Sequence, residues 1–165
     1  MAVRLIRRYG DPVLKTVCDP IKEIGPAAHS LVEDLLDTTR EPGRAGVAAN
    51  QIGVTLRAFS YNVEGKIGYL LNPEQLEVNG EPELVEEGCL SVPGLWHLVE
   101  RYPQAKLTGI QLDGSKVTVS GSGVFAQVLQ HELDHLNGYV YLDRLSKEER
   151  KLAMANLRQT DWFLS

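Results

Sequence analysis

The chain of 165 residues is poor in cysteine, with only Cys18 and Cys89. Two cysteines are too few for the disulfide framework of a small secreted domain. No tract of about 18 apolar residues is present, which excludes a membrane-spanning helix. The basic residues 1–8 are not followed by an apolar segment and a small-residue cleavage site, so a secretory signal is not expected. The sequence therefore predicts a soluble, cytoplasmic protein.

An excess of positive charge is also lacking, since the formal net charge is −5 and the pI is near 5.4. The chain consequently has no electrostatic footprint for nucleic acid, and we expect neither a nucleic-acid nor a membrane partner. Repeats, low-complexity segments and linkers are missing too. With 43% hydrophobic residues, a chain of this length fits one domain over residues 1–165.

The first half of the chain predicts one helix followed by strands. Pro26 suits a first helical turn, and apolar residues recur at helical spacing until a break at residues 41–43. Short apolar runs at residues 56–61, 67–71 and 76–78 are bounded by turn residues and indicate strands. Further on, polar and apolar residues alternate on both sides of Asp113-Gly114, which predicts a hairpin with a two-residue turn.

The last third returns to a helical period. One helix is predicted from Val124 to a glycine cap at Gly138, and another after Ser146, where Glu149 can complete a capping box. A helix, then strands, then two helices predict an α+β fold in a single domain. The side chains expected to face the core are Leu31, Val32, Leu35, Leu36, Val124, Val128, Leu129, Leu133, Leu136, Leu152, Leu157 and Met154.

The second helix carries the sequence His-Glu-Leu-Asp-His over residues 131–135. Residues four apart lie on one helical face, so His131 and His135 can direct ring nitrogens at one metal ion. Glu132 points about 100° away and can reach a water beside the ion. Two histidines at this spacing can also be ordinary surface or core residues. The intervening glutamate and the apolar flank favour a metal site.

A catalytic divalent metal usually has three protein ligands. The other histidines, His29 and His97, have no partner pattern, and Glu148 and Glu149 belong to the predicted helix start. Cys89 remains as the soft candidate, although a buried cysteine is more often core filling. It stands in Glu-Glu-Gly-Cys-Leu-Ser-Val-Pro-Gly, residues 86–94, where glycine and proline predict a tight loop rather than a strand interior.

Three segments, Gly-Val-Ala-Ala-Asn-Gln (46–51), Glu-Gly-Cys-Leu-Ser (87–91) and Gln-His-Glu-Leu-Asp-His (130–135), together resemble the peptide deformylases. Their order and spacing fit, and the resemblance covers nearly the whole chain. It implies antiparallel sheets around a central helix that bears the HExxH motif. It also implies that Cys89, His131 and His135 ligate one divalent ion, with Fe(II) as the native metal and Ni, Co or Zn as substitutes.

The resemblance further implies hydrolysis of the N-formyl group from the formyl-methionine of newly synthesised peptides, with release of formate. Glu132 would act as general base and acid, while Gln51 and the backbone N–H of Leu90 would stabilise the oxyanion. The peptide would add to the enzyme as an extended strand, with its methionine in an apolar pocket. The implied substrate-binding residues are Ala45, Gly46, Gly88 and Val128, with the backbone of Ala45 and Gly88 pairing with the peptide and Val128 lining the methionine pocket.

One position departs from the family pattern, because Arg44 replaces the usual first glycine of the first segment. An arginine restricts the backbone and adds charge beside the binding strand, so we expect an effect on substrate affinity rather than on chemistry. A secondary deformylase among several in its cell fits this departure. Nascent chains are the expected partners, with transient ribosome contact as an option.

Two alternatives remain open at this point. A zincin-type metallopeptidase shares the helix motif but does not need Cys89. A deformylase-like binding protein without turnover would have lost Glu132 or Gln51, and both are present.

Overall fold

A computed structural model describes residues 2–164. It has three α-helices: α1 (Pro26–Thr39), α2 (Gly123–Leu136) and α3 (Lys147–Arg158). Short 3-10 turns cover Pro12–Lys15, Ala49–Ile52 and Tyr141–Arg144. The strands are β1 (Gly46–Ala48), β2 (Ala58–Val63), β3 (Lys66–Asn79), β4 (Glu83–Cys89), β5 (Val92–Arg101), β6 (Gln104–Ile110) and β7 (Lys116–Ser122).

The strands form two antiparallel sheets. Five strands pair in the order β1-β2-β3-β6-β7, and β4 pairs with β5 in a separate hairpin. Helix α2 contacts β1, β2, β6 and β7, so it lies against the larger sheet. Its buried residues Leu129 and Leu136 pack there with Phe59, Leu70 and Leu107. The predicted α+β architecture around a central HExxH helix is confirmed.

The helices follow local signals in the sequence. Helix α1 begins at Pro26 as predicted and ends at Thr39, slightly before the predicted break. Gly138 follows α2 with a φ of +83°, a left-handed conformation that glycine adopts at helix ends. Ser146 caps α3, because its side chain accepts a hydrogen bond from the Glu149 amide.

Two side chains predicted to face the core are exposed instead. Val124 is 52% exposed because the first turn of α2 opens onto a cleft. Leu152 is also 52% exposed, while Ala153 and Leu157 supply the buried face of α3. None of the helices within residues 2–164 is long and apolar enough to cross a membrane.

Strand β3 corrects the prediction of two separate strands at residues 67–71 and 76–78. The strand continues through this region with two register shifts, and Asn72 and Gln75 adopt positive φ there. Such bulges insert residues without ending the pairing. The Asn72 side chain also bonds both backbone groups of Ile21, which holds the first irregularity in place.

Two turns differ from their predictions. The β6–β7 turn includes Leu112, Asp113 and Gly114, because Gln111 already pairs with Ser115. Residues 86–94 are mostly strand rather than loop, with a tight turn between Cys89 and Val92. Pro93 is tolerated in this two-stranded hairpin because both of its strands are edges.

Candidate active site

A cleft of about 450 Å³ lies between β1, the β4–β5 hairpin and α2. Nine of the ten site residues predicted from the sequence line it, and the tenth, His135, is fully buried directly behind. The lining residues among them are Ala45, Gly46, Gln51, Gly88, Cys89, Leu90, Val128, His131 and Glu132. Segments far apart in the chain therefore meet at one place.

The three predicted metal ligands converge at the base of the cleft. Nε2 of His135 lies 3.3 Å from Sγ of Cys89 and 3.1 Å from Nε2 of His131. All three atoms lie within 4.8 Å of one another. A tetrahedral ion with ordinary bond lengths separates its ligands by roughly 3.3 Å for two nitrogens and roughly 3.6 Å for nitrogen and sulfur. The residues therefore fit a divalent ion.

Local structure explains this convergence. The two histidines lie one turn apart on the same face of α2. Cys89 ends β4 at the register shift between Gly88 and Cys89, where the hairpin turns back. The Ser91 amide faces Sγ at 3.4 Å, so the turn also directs a donor at the sulfur.

His131 has an outer partner that sequence reasoning missed. Its Nδ1 lies 2.9 Å from Oε2 of Glu87. Its other ring nitrogen, Nε2, therefore faces the other two predicted ligands, Cys89 and His135. Glu87 is itself paired with buried Arg101 through bonds of 2.9 and 2.6 Å. Arg101 also bonds Asp134, which pairs with Arg144. Glu87 and Asp134 stand within two of the recognised segments, whereas nothing in the sequence identifies Arg101.

Neighbouring charges shift the pKa values of both Glu87 and His131. Burial alone would raise the pKa of Glu87, but the hydrogen bonds from His131 and Arg101 outweigh it and lower the pKa to about 2. Burial opposes a charged His131, yet Cys89 and Glu87 raise its pKa well above the usual value. A metal ion binds the neutral form of histidine, so metal binding would release the extra proton from the His131 ring.

Glu132 lines the same cleft as Cys89 and His131, and one of its carboxyl oxygens is unpartnered among the residues that the structure describes. The residue is 3% exposed, and its Oε2 has no hydrogen-bond partner within residues 2–164. Burial raises the pKa of Glu132 to about 7. A carboxyl group near this value can both accept and donate a proton at neutral pH. Gly46 makes room for it, since a Cβ there would come within 2.6 Å of Oε1.

Gln51 has a fixed amide orientation. Its Oε1 accepts a hydrogen bond from the Ala48 amide at 2.9 Å, so Nε2 must point the other way. Nε2 lies 3.1 Å from Oγ of Ser91 and 3.6 Å from Sγ of Cys89. The amide is thus a preoriented donor beside Cys89, and Leu90 lines the same cleft.

This geometry is that of a metal-dependent hydrolase with its HExxH motif on a helix. The cysteine sulfur beside the two imidazoles distinguishes the site from that of a zincin, whose ligands are nitrogen and oxygen atoms.

The model of the polypeptide deformylase family matches residues 3–151, and the chain belongs to this family. It is 43% identical over 162 residues to a peptide deformylase of Acidothermus cellulolyticus, covering 98% of this chain and 89% of that protein. It is 38% identical to peptide deformylase 1 of Corynebacterium efficiens, covering 99% of each chain.

Solved structures agree. A peptide deformylase from Legionella pneumophila superposes with a TM-score of 0.88 at 32% identity, covering 96% of this chain and 95% of that one. A peptide deformylase from Synechococcus elongatus, in complex with actinonin, gives 0.84 at 27% identity, covering 94% and 92%.

Family membership settles the activity. The family is metal-dependent and removes the N-formyl group from formyl-methionine, so the chain is an enzyme of N-terminal processing. The predicted family, fold class and activity are confirmed. Neither the zincin metallopeptidase nor the binding protein without turnover is favoured.

Proposed function

We propose that Cys89, His131 and His135 hold one divalent ion, with Fe(II) as the native metal and Ni, Co or Zn as functional substitutes. The support is the convergence of one sulfur and two ring nitrogens within 4.8 Å. Sulfur and imidazole ligands suit all four metals, so the choice of iron rests on the resemblance. When bound, the ion lowers the pKa of water and polarises a carbonyl oxygen.

Glu132 performs the proton transfers in this proposal. Its carboxylate takes a proton from the water that attacks the formyl carbon and later gives that proton to the departing amine nitrogen. The supporting observations are the pKa of about 7, which follows from burial, and the unpartnered Oε2. Formate and a free amino terminus are the products.

Gln51 and Leu90 stabilise the negative oxygen that develops during the attack. The Ala48 amide fixes the Gln51 side chain with its N–H groups toward Cys89. A donor that is oriented before the reaction stabilises charge without reorganisation. The backbone N–H of Leu90, the residue after Cys89, is the second donor in this proposal, and Leu90 lines the cleft.

The substrate binds as an extended strand between β1 and β4. Within residues 2–164, β1 pairs only with β2 and β4 only with β5, which leaves an edge of each strand for a peptide. The Ala45 carbonyl already accepts from Asn62 at 2.8 Å. Since backbone directions alternate along a strand, we propose that Gly46 pairs with the peptide in place of the expected Ala45, which lines the cleft. Gly88 remains the pairing position on β4, as the resemblance implies.

The methionine side chain enters the apolar part of the cleft in this proposal. Val128 is 7% exposed and lines the cleft one turn before His131.

We further propose that residues 1–165 act as one catalytic domain on newly made formylated chains in the cytoplasm, with only transient ribosome contact.

The test is formate release from formyl-Met-Ala-Ser by anaerobically purified protein, with metal analysis of each variant. Glu132→Gln should lower the rate about 10²–10⁴-fold with metal retained, because the proton carrier is lost. Cys89→Ala should lose both metal and activity. Glu148→Gln removes an exposed glutamate from α3 and is the matched control.

Two results would contradict the proposal. Equal rates for wild type and Glu132→Gln would remove Glu132 from the mechanism. A Cys89→Ala variant that keeps its metal and its activity would exclude the thiolate as a ligand.

A further inference from the structure

The two histidines of the metal cluster differ in their outer contacts. Nδ1 of His131 faces Glu87 at 2.9 Å, whereas Nδ1 of His135 has no hydrogen-bond partner in the part of the chain that the structure describes. His135 is completely buried. A histidine that ligates through Nε2 carries its proton on Nδ1, and that N–H is almost always donated to an acceptor. His135 therefore needs one.

Asn50 is another buried residue with a side-chain atom that is unpartnered within the described part of the chain, and it is hydrogen-bonded to the backbone of His135. It is completely buried, and its Nδ2 donates to the backbone carbonyl of His135 at 2.6 Å. Its Oδ1 has no partner among residues 2–164. The carbonyl of His135 can only accept a hydrogen bond, so the nitrogen and the oxygen of the Asn50 amide cannot exchange places. One unpaired acceptor and one unpaired donor thus belong to two residues already joined by a hydrogen bond.

We propose that Asn50 is a positioning residue for His135, with Oδ1 of Asn50 accepting the Nδ1 proton of His135 through one buried water. This inference rests on the proposed role of His135 as a metal ligand. The two atoms make no direct hydrogen bond, and a water with polar partners on both sides satisfies such a buried pair. The contact fixes the tautomer that keeps Nε2 of His135 free toward Cys89 and His131.

The two outer contacts have different charge. Glu87 is a carboxylate, and its bond to His131 strengthens the basicity of that ring. Asn50 is neutral, so it orients His135 without adding a second negative charge behind the cluster. Asn50 also lies in the same 3-10 turn as Gln51. One turn therefore positions both a metal ligand and the oxyanion donor.

The experiment uses zinc-loaded full-length protein with nitrogen-15-labelled histidine. In the wild type, NMR should show slowly exchanging Nδ1 protons for both His131 and His135, and Glu87→Gln identifies the His131 signal. In Asn50→Leu, which keeps the branched shape of the side chain but removes both polar atoms, the His135 Nδ1 proton should exchange fast. Zinc dissociation into a chelator should accelerate about 10–100-fold.

Asn72→Ala is the matched control. The side-chain amide of Asn72, like that of Asn50, is hydrogen-bonded to backbone. Both amide groups of Asn72 bond Ile21, which is not one of the predicted metal ligands. It should lose stability without changing either histidine signal or the zinc dissociation rate. A purely structural role for Asn50 would make the two variants alike and would overturn the proposal.

An unchanged His135 signal in Asn50→Leu would also overturn it. If Asn50→Leu does not fold, a high-resolution crystal structure of the zinc-loaded wild type decides. A water within hydrogen-bond distance of both atoms supports the proposal, and any other acceptor on Nδ1 of His135 refutes it. Failure of the wild type to bind zinc through His135 would instead refute the proposed metal site.

Discussion

At the scale of single residues, burial separates groups of the same chemical type. Cys18 is 2% exposed, and burial raises the pKa of its thiol to about 11, so it stays protonated. Cys89 lies in the cleft beside two imidazoles. Cys18 packs among the apolar side chains of the core as an inert small residue. Position in the fold, and not residue type, makes one cysteine a candidate ligand.

Gly46→Ala should damage the site through Glu132. The added Cβ would lie 2.6 Å from Oε1 and 3.0 Å from Cδ of a buried carboxyl group that has little room to move. We expect kcat/KM for formyl-Met-Ala-Ser to fall about 10–100-fold, because small displacements of a reacting group are costly. The metal content should be unchanged.

Gly109→Ala is the control for Gly46→Ala. A Cβ at Gly109 would meet Cδ2 of Leu70 at 2.9 Å, inside the larger sheet and away from the cleft. This variant should lose stability in a urea titration while kcat/KM stays the same. Equal loss of activity in both variants would mean that Gly46 acts only through folding.

At the scale of elements, local signals predicted the helices better than the strands. Pro26 and Ser146 mark the starts of α1 and α3 by interactions with residues a few positions away. The β4–β5 hairpin escaped prediction because glycine and proline around Cys89 indicate a loop when read locally. Its strands exist because residues 83–89 pair with residues 92–101, and that pairing is not visible from local composition.

Arg44 shows how an element explains a departure from the family pattern. Its Nη1 donates to the Thr38 carbonyl at 2.9 Å, at the C-terminus of α1. A cation at this end of a helix stabilises unpaired carbonyls and the helix dipole. Arg44 is not among the residues with positive φ, so replacing glycine creates no strain. The side chain therefore ties the segment before β1 to α1.

Arg44→Ala should consequently change stability more than catalysis. We expect the free energy of unfolding to fall by about 0.3–1 kcal/mol, because one partly exposed helix-end contact is lost. KM and kcat for formyl-Met-Ala-Ser should stay at the wild-type values, with Arg40→Ala as the neighbouring control. A large rise in KM without a loss of stability would instead support the expectation that Arg44 acts on substrate affinity.

At the scale of the whole molecule, the sequence predicted which residues meet but not what supports them. The motif spacing and the resemblance named Cys89, His131 and His135, and the structure places their ligand atoms within 4.8 Å of one another. Their outer contacts join positions far apart in the chain: Arg101 bonds Asp134 across 33 positions, and Asn50 bonds His135 across 85. Such pairs depend on the packing of sheets and helices, which no local pattern encodes.

His97 couples one such long-range contact to the stability of the entire fold. It lies on β5, with Nδ1 2.9 Å from the Tyr141 hydroxyl and Nε2 3.3 Å from Nδ2 of Asn156 on α3. Burial lowers the pKa of His97 below its usual 6.5, although Glu149 opposes this in part. The neutral ring is therefore the form that the folded protein accepts.

The pH dependence follows from this direction. Below about pH 6.5 the unfolded chain protonates His97 more readily than the folded protein does, so stability is fully present above that pH and falls as the pH decreases. One group contributes at most about 1.4 kcal/mol per pH unit to this slope. The slope is measured by urea titrations of zinc-loaded protein at several pH values between about 5 and 8, which bracket the histidine pKa.

His97→Gln should be less stable at neutral pH and should lose less stability on acidification than the wild type, with His29→Gln as the exposed-histidine control. The metal site is the same in all three proteins, so parallel curves for wild type and His97→Gln would show that His97 does not contribute.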